Sequence, residues 1–300
     1  MLTIFANNIL PILLLSGAGF VLGRTMKLDS RPLARVIFYI LSPLLVFNLI
    51  SQSQLSLKNI FLMMAFASSV MLTCAALAFL TGKLLRLERS ALTVAVLTSL
   101  LANNGNFGMP IIGFAFGQEA LAYASIYFVT SSLFVYTLGV LLASLGHMNL
   151  KAALVNLLKV PAIYAIIIAM IFVRTGWILP DPIQHTVTLA AAAAIPAMLI
   201  LLGIELQRAE WTGKLRLISV PVIIRLVIGP LVGLGMAALF GFQGNARLAG
   251  ITEAGMPSAV MNTVLATEYK LDPALVTAVV FIGTILSPLT LTLLLYFLGR

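Results

Sequence analysis

Charge is what this chain has least of. Its 300 residues include nine Asp and Glu, eighteen Lys and Arg, one cysteine and two histidines. Charged residues make up 9% of the chain, where a soluble domain carries about 25%. That scarcity excludes soluble enzymes and nucleic-acid-binding domains. The lone Cys74 excludes an internal disulfide, and His147 and His185, both in connecting stretches, cannot build a metal cluster by themselves. No H-E-x-x-H and no P-loop sequence occurs, so neither a zinc protease nor an ATP-driven pump is supported. The interiors of the apolar runs hold no histidine and no pair of acids. The set that hydrolysis or group transfer needs is missing, and the chain does not read as an enzyme. Polar gaps run to only about a dozen residues, too few for a soluble domain.

What the chain has is apolar length: it is 61% hydrophobic, with a mean hydropathy of +1.11. A spanning helix takes about 20 apolar residues. Ten stretches qualify, near 4–23, 33–50, 58–82, 91–117, 119–145, 152–173, 184–205, 214–240, 246–267 and 273–298. The expected fold is an all-α integral membrane protein of ten transmembrane helices. The first run has no basic residue before it and is longer than a signal peptide's apolar region, so it reads as a helix that stays. The gap at Gly117-Gln118-Glu119 is the thinnest loop.

Basic residues orient the helices. Connections after helices 1, 3, 5, 7 and 9 hold thirteen: Arg24, Lys27, Arg31, Arg35, Lys83, Arg86, Arg89, Lys151, Lys159, Arg208, Lys214, Arg216 and Lys270. The other side holds Lys58, Arg174, Arg247 and Arg300. With the richer side in the cytoplasm, both termini lie outside the cytoplasmic (inner) membrane. The net charge of +9 is thus read as topology rather than as the mark of an anionic partner.

Ten helices divide five and five, 1–150 and 151–300, and an odd number per half makes the second copy enter from the opposite side. Arg24-Thr25 and Arg174-Thr175 stand 150 apart, as do Pro11 and Pro161, and Pro43 loosely matches Pro196. Helices 4 and 9 give the strongest match. Asn103-Asn104-Gly105-Asn106-Phe107-Gly108-Met109-Pro110 is answered by Glu253-Ala254-Gly255-Met256-Pro257, with Ser258 and Asn262 following, and Gly-Met-Pro recurs 147 positions on. Proline removes one i→i−4 hydrogen bond, so Pro110 is expected to free the carbonyl of Asn106, and Pro257 that of Glu253. One such proline would read as a packing kink. Two interrupted helices at matching places in two halves point to a transporter's binding site.

Broken helix is tolerated in a bilayer only where it is buried or lines a cavity. Amides after Pro110 and Pro257 suit an anionic group, and the freed carbonyls suit a cation. The candidate substrate site is therefore Asn103, Asn104, Asn106, Gly108, Pro110, Gly255, Pro257, Ser258 and Asn262, with Asn48 of helix 2 as an outlying member. Glu253 is the one acid well inside a span, where charge costs about 2.5–3.5 kcal/mol. It reads either as a cation ligand or proton carrier beside Asn106 and Thr252, with sodium at Glu253 and Asn106, or as the structural partner of Arg225. Arg225 could equally meet an anionic substrate or snorkel to an interface. Tyr123, Tyr127 and Ser131-Ser132 read as packing contacts sooner than as cavity lining. Gly17, Gly19 and Gly23 read as close helix packing.

Ten helices as two inverted fives, outside termini, Asn-rich and Gly-Met-Pro breaks in helices 4 and 9, and the Ser42-Pro43 turn together resemble the auxin efflux carrier family, in a short prokaryotic form. The resemblance implies a fold shared with bile-acid/sodium symporters, with helices 1, 2, 6 and 7 as scaffold and 3–5 and 8–10 as transport core. It implies that Asn103, Asn106, both Gly-Met-Pro breaks and Asn262 form the substrate site. It also implies that Glu253 stands where sodium-coupled relatives place a cation ligand, and that a homodimer forms through the scaffold. Bacterial members are often labelled malate or malonate permeases, and plant members export indole-3-acetate. The plant carriers' long loop between helices 5 and 6 is absent, and helix 3 lacks their charged pair, so plant specificity does not carry over. The expected function is secondary transport of small organic anions, mono- or dicarboxylates, by an elevator-like movement, with Na+ or H+ as coupling ion. An anion channel, an uncoupled uniporter or a non-transporting sensor would need no matched breaks. The expected partners are the anion and membrane lipid, with no nucleic acid and no cofactor beyond the coupling ion.

Overall fold

The computed structural model describes residues 1–53, 55–144, 155, 158–207 and 214–299. Their regular structure is helical apart from one isolated antiparallel bridge. The helices are α1 (Leu2–Met26), α2 (Arg31–Ser51), α3 (Leu57–Leu84), α4 (Arg89–Leu100), α5 (Asn104–Ala143), α6 (Pro161–Thr175), α7 (Asp181–Leu206), α8 (Leu215–Leu239), α9 (Gly244–Ala254), α10 (Met261–Glu268) and α11 (Pro273–Leu298). Seven of them, α1, α2, α3, α5, α7, α8 and α11, are long and apolar enough to cross a bilayer, and α4 and α6 are apolar but shorter. This is a multi-pass integral membrane protein. His147, Lys151, Arg208, Arg300 and the division at 150/151 lie outside the described residues.

Local chemistry sets the helix ends. Ser56 caps α3 by accepting from the Asn59 N–H at 3.2 Å, and Asp272 caps α11 by accepting from the Leu275 N–H at 3.0 Å. Such side-chain oxygens satisfy donors that a helix start leaves open. Gly176 ends α6 in the left-handed region, at φ 67°, where the absence of Cβ removes the penalty.

Prolines shape the helices differently from the sequence expectation. Turns Phe5–Ile9, Ile37–Leu41, Asn104–Gly108 and Ile224–Ile228 are all π-helical. Two residues beyond each stands a proline: Pro11, Pro43, Pro110 and Pro230. In each case the residue before the proline donates its N–H five residues back, as Met109 does to Asn104 and Gly229 to Ile224. Proline has no N–H and its ring collides with the carbonyl four back. Widening the preceding turn relieves that collision without ending the helix.

Pro110 therefore does not break helix 4. The break lies upstream: α4 ends at Leu100, residues 101–103 are not helical, and α5 begins at Asn104. The second break spans 255–260, with Pro257 inside it. The two Gly-Met-Pro tripeptides thus occupy different places, one just after its break and one within. The loop expected at 117–119 shrinks to a single residue, Gly117, at φ 79° and ψ −168° inside α5. The sixth helix, expected from 152, is described from Pro161.

Helix α1 lies against α7 through glycines. A Cβ on Gly19 would run into the backbone of Ile200, and one on Gly203 into the Ser16 carbonyl and the Phe20 amide. Small residues let backbones approach this closely. Gly23 shares the contact, 3.2 Å from the Ile204 Cα measured from its ideal Cβ position, whereas Gly17 faces open space and is not a packing residue.

Candidate functional site

The two breaks meet. The Asn103 N–H donates to the Pro257 carbonyl at 2.8 Å, and the Ala259 N–H donates to the Leu101 carbonyl at 2.9 Å. Ala102 thereby stands opposite Ser258 in an antiparallel bridge. Backbone groups that neither helix can satisfy, and that lipid cannot, satisfy one another.

Side chains finish the pairing. At the end of α4, Ser258 Oγ donates to the Thr98 carbonyl at 2.7 Å and Asn262 Nδ2 to the Leu101 carbonyl at 3.0 Å. At the end of α9, Asn104 Nδ2 donates to the Glu253 carbonyl at 3.1 Å. Each broken helix thus has its carboxyl end capped by a polar side chain of the other. Arg225 of α8 serves both ends: Nε donates to the Met256 carbonyl at 3.0 Å and Nη1 to the Ser99 carbonyl at 3.4 Å. A cation is favourable where helix dipoles present negative ends.

Arg225 is fully buried, so it does not snorkel. Among the described residues it forms no ion pair with Glu253 within 4.0 Å, so the alternative reading of Glu253 as its direct structural partner has no contact behind it. The Glu253 carboxylate, also fully buried, is held instead by Asn104 Nδ2 at 2.6 Å on Oε2. Gly108 makes room for it, since a Cβ there would strike that carboxylate. Buried polar atoms with no hydrogen-bond partner in these stretches include Glu253 Oε1, Asn104 Oδ1, Thr252 Oγ1, Asn103 Nδ2, Asn262 Oδ1 and Arg225 Nη2.

Most of the sequence-derived site gathers here: Asn103, Asn104, Gly108, Thr252, Glu253, Gly255, Pro257, Ser258 and Asn262 are all buried. Gly255 packs beneath Pro230, whose Cγ would lie 3.0 Å from an added Cβ. Three residues depart from expectation. Asn106 is half-buried, and Asn104 makes the amide contact to Glu253 in its place. Pro110 sits inside α5, so the unpaired amides at the crossing are those of the first turn of α5, from Asn104 on, and not those following the proline. Asn48 accepts from Gln52 Nε2 at 2.8 Å, one turn along its own helix. Sequence reading missed Thr98, Ser99 and Leu101, because they contribute carbonyl oxygens, which every residue carries. It also took Tyr127 for packing. That side chain is fully buried against Phe66, but its hydroxyl is unpartnered.

A cavity of about 870 Å³ opens beside the crossing. It reaches Val260, next to the bridged stretch, and carries Arg31, Arg35 and Lys159 along with Glu205 and Glu268. These five lie near helix ends.

The model of a family described as membrane transport protein matches residues 4–295, nearly the whole chain. The chain belongs to the auxin efflux carrier family of membrane transporters. As a member of that family it is a transporter, and the family is one of carriers and not of enzymes. Within the family it is 28% identical over 292 residues to an uncharacterized transporter of Methanothermobacter thermautotrophicus, covering 96% of each chain. It is 27% identical over 296 residues to an uncharacterized transporter of Methanocaldococcus jannaschii, covering 95% of this chain and 96% of that one. Auxin efflux carrier component 6 of Arabidopsis thaliana is 25% identical over 173 residues, 52% of this chain and 30% of the plant protein.

Proposed function

We propose that this auxin efflux carrier family member is a secondary transporter of small organic anions, working by an elevator-like movement of a core against a scaffold. The observation that carries the reading is the crossing itself: two helix breaks joined by an antiparallel bridge at Ala102 and Ser258. Discontinuous helices of this kind form the substrate and ion sites of transporters built from inverted repeats.

Ten passes follow when α4 with the first part of α5 (104–116), the remainder of α5 (118–143), and α9 with α10 each count as one. Two inverted sets, 1–150 and 151–300, give helices 1, 2, 6 and 7 as scaffold and the rest as core. The ends of α1 and α6 support that repeat. Both carry Arg-Thr in the last turn, with the threonine hydroxyl donating four residues back, from Thr25 to Val21 and from Thr175 to Ile171 at 2.8 Å each. Each helix is closed by a left-handed residue, Lys27 after Met26 and Gly176 directly after Thr175. Both termini then lie outside the cytoplasmic membrane.

The anion enters from the cavity, where Arg31, Arg35 and Lys159 raise its local concentration. It reaches the crossing near Asn103 and Asn262, whose polar atoms have unused capacity, and near the first-turn amides of α5. Glu253 Oε1, Asn104 Oδ1 and Thr252 Oγ1 offer a carboxylate, an amide and a hydroxyl oxygen. That set suits a hard monovalent cation or, at the carboxylate, a proton. Sodium or a proton is accordingly the co-transported species, with Asn104 in the place first given to Asn106. A homodimer through the scaffold is part of the same reading.

Counterflow tests it. Protein in vesicles preloaded with malate, malonate or a monocarboxylate should accelerate uptake of the labelled anion, with and without a sodium or pH gradient. Uptake that ignores preloading, and conducts as a pore, would replace the carrier by a channel.

A further inference from the structure

We infer that a groove between α3, α5 and α6 is a seat for one bilayer phospholipid, its acyl chain along α6 and its phosphate on Arg174. The seat stands independently of what the crossing carries.

The groove has a volume of about 620 Å³, inside the ~300–1,000 Å³ range of ligand pockets. Its floor is buried and apolar: Ile60, Val129, Ile166 and Met170. Its open rim is apolar too, with Phe61 67% and Ile167 52% exposed. In a membrane, a concavity rimmed this way faces hydrocarbon, and a lipid chain fills it. Along α6 the lining runs from Ile163 to Thr175. At 1.5 Å per residue that is about 18 Å, close to the ~15 Å depth of one leaflet of a ~30 Å hydrocarbon core.

One end is polar. Arg174 and Thr175 line it, Lys58 follows the lining residue Leu57 in the first turn of α3, and Trp177 stands 65% exposed just beyond. An exposed tryptophan beside basic residues marks a headgroup level. No described residue forms an ion pair or hydrogen bond with the Arg174 guanidinium. The charge complementarity therefore selects an occupant with an apolar chain and an anionic head, which in this setting is a phospholipid. Helix α6 also has only 15 residues, about 22 Å long and short of the bilayer core. A lipid tucked against it covers apolar surface that so short a helix leaves unmatched.

The test uses the full chain in detergent, with phosphatidylglycerol added and bound lipid counted by native mass spectrometry. Arg174→Gln should weaken retention about fivefold, the effect of one basic residue at a headgroup. Ile167→Trp and Ile171→Trp, each filling the groove from its exposed rim, should abolish retention, while Leu189→Trp on the exposed face of α7 should leave it unchanged. Inorganic phosphate alone should neither compete nor stabilise. Undiminished lipid in both groove variants overturns the seat, as does equal loss in Leu189→Trp. Competition by inorganic phosphate would reduce the site to an anion contact and overturn the acyl-chain half of the inference.

Discussion

Asn104 and Glu253, 149 residues apart, are joined twice: the Asn104 amide donates to the Glu253 carboxylate at 2.6 Å and to the Glu253 carbonyl at 3.1 Å. One side chain thus ties the start of α5 to the end of α9 through both the backbone and the charge of a single residue. The carbonyl it takes is the one that Pro257, four residues on, leaves without a proline N–H.

Losing that amide should be felt in stability as well as in transport. Asn104→Ala leaves the buried Glu253 Oε2 without a donor, at about 1–3 kcal/mol before relaxation, while the Glu253 carbonyl keeps the Met256 N–H at 3.2 Å. Thermal unfolding in detergent should fall by several degrees, and transport should drop with it. Asn106→Ala, at a half-buried position, should leave unfolding unchanged. An equal loss of stability at both positions would contradict the geometry.

Glu253→Gln removes charge and keeps shape. The folded protein should survive, because a neutral amide relieves a buried charge, which is costly in a membrane. Ion dependence of transport should disappear. Uptake measured with and without sodium, at two pH values, reads this directly; unchanged ion dependence would return Glu253 to a purely structural role.

Much of this architecture was legible from spacing, because a bilayer demands apolar length and tolerates broken helix in few places. The all-helical membrane character, the two breaks and the isolated Glu253 followed from those demands. Where the first break falls did not. Proline was read as the cause, but a π-helical turn absorbs Pro110, and the chain opens at Leu101–Asn103, where no residue type announces it. Equally illegible were the caps by Ser258, Asn262 and Arg225, since their acceptors are main-chain carbonyls. Asn104 and Asn106 differ by half a helical turn, and only the rotation of α5 decides which one meets Glu253.

Glycines at two contacts should separate packing from function. Gly203→Ala forces a Cβ into the Ser16 carbonyl and the Phe20 amide, both backbone. It should push α1 from α7 and cost about 1–3 kcal/mol, as overpacking does. Gly108→Ala meets the Glu253 carboxylate first, a side chain that can shift at the expense of its Asn104 bond. Its transport defect should therefore exceed its loss of stability. Unfolding and uptake measured on both variants compare the two.

Outside the membrane, one ion pair sets a pH effect of known sign. Burial raises the Asp272 carboxyl, but the Lys214 ammonium at 2.7 Å and the Leu275 N–H outweigh it and hold the carboxyl below its usual value. A depressed value gives stability that is complete above the unfolded value, about 3.9, and lost as pH falls through the lowered one. Asp272→Asn keeps a cap on α11 and removes the ion pair. It should lower stability by less than about 1 kcal/mol at neutral pH, because the pair is exposed. The difference from wild type should vanish in acid. Melting curves across that range check it.

Arg225 gives the sharpest test of the crossing, because its guanidinium reaches both broken helices at once. Arg225→Lys can serve one carbonyl at best, and Arg225→Met neither, so stability should fall in that order, the Ser99 and Met256 carbonyls being left bare. Arg225 is also the buried positive charge nearest in kind to offset Glu253, although the two do not touch. If that field matters, Arg225→Met should be partly rescued by Glu253→Gln, which removes the charge left uncompensated. If only the carbonyl bonds matter, the effects of the two substitutions should add. A double-mutant cycle on unfolding temperature separates these cases. A fully stable Arg225→Met would mean that the breaks hold together through the Ala102–Ser258 bridge and its flanking amides alone.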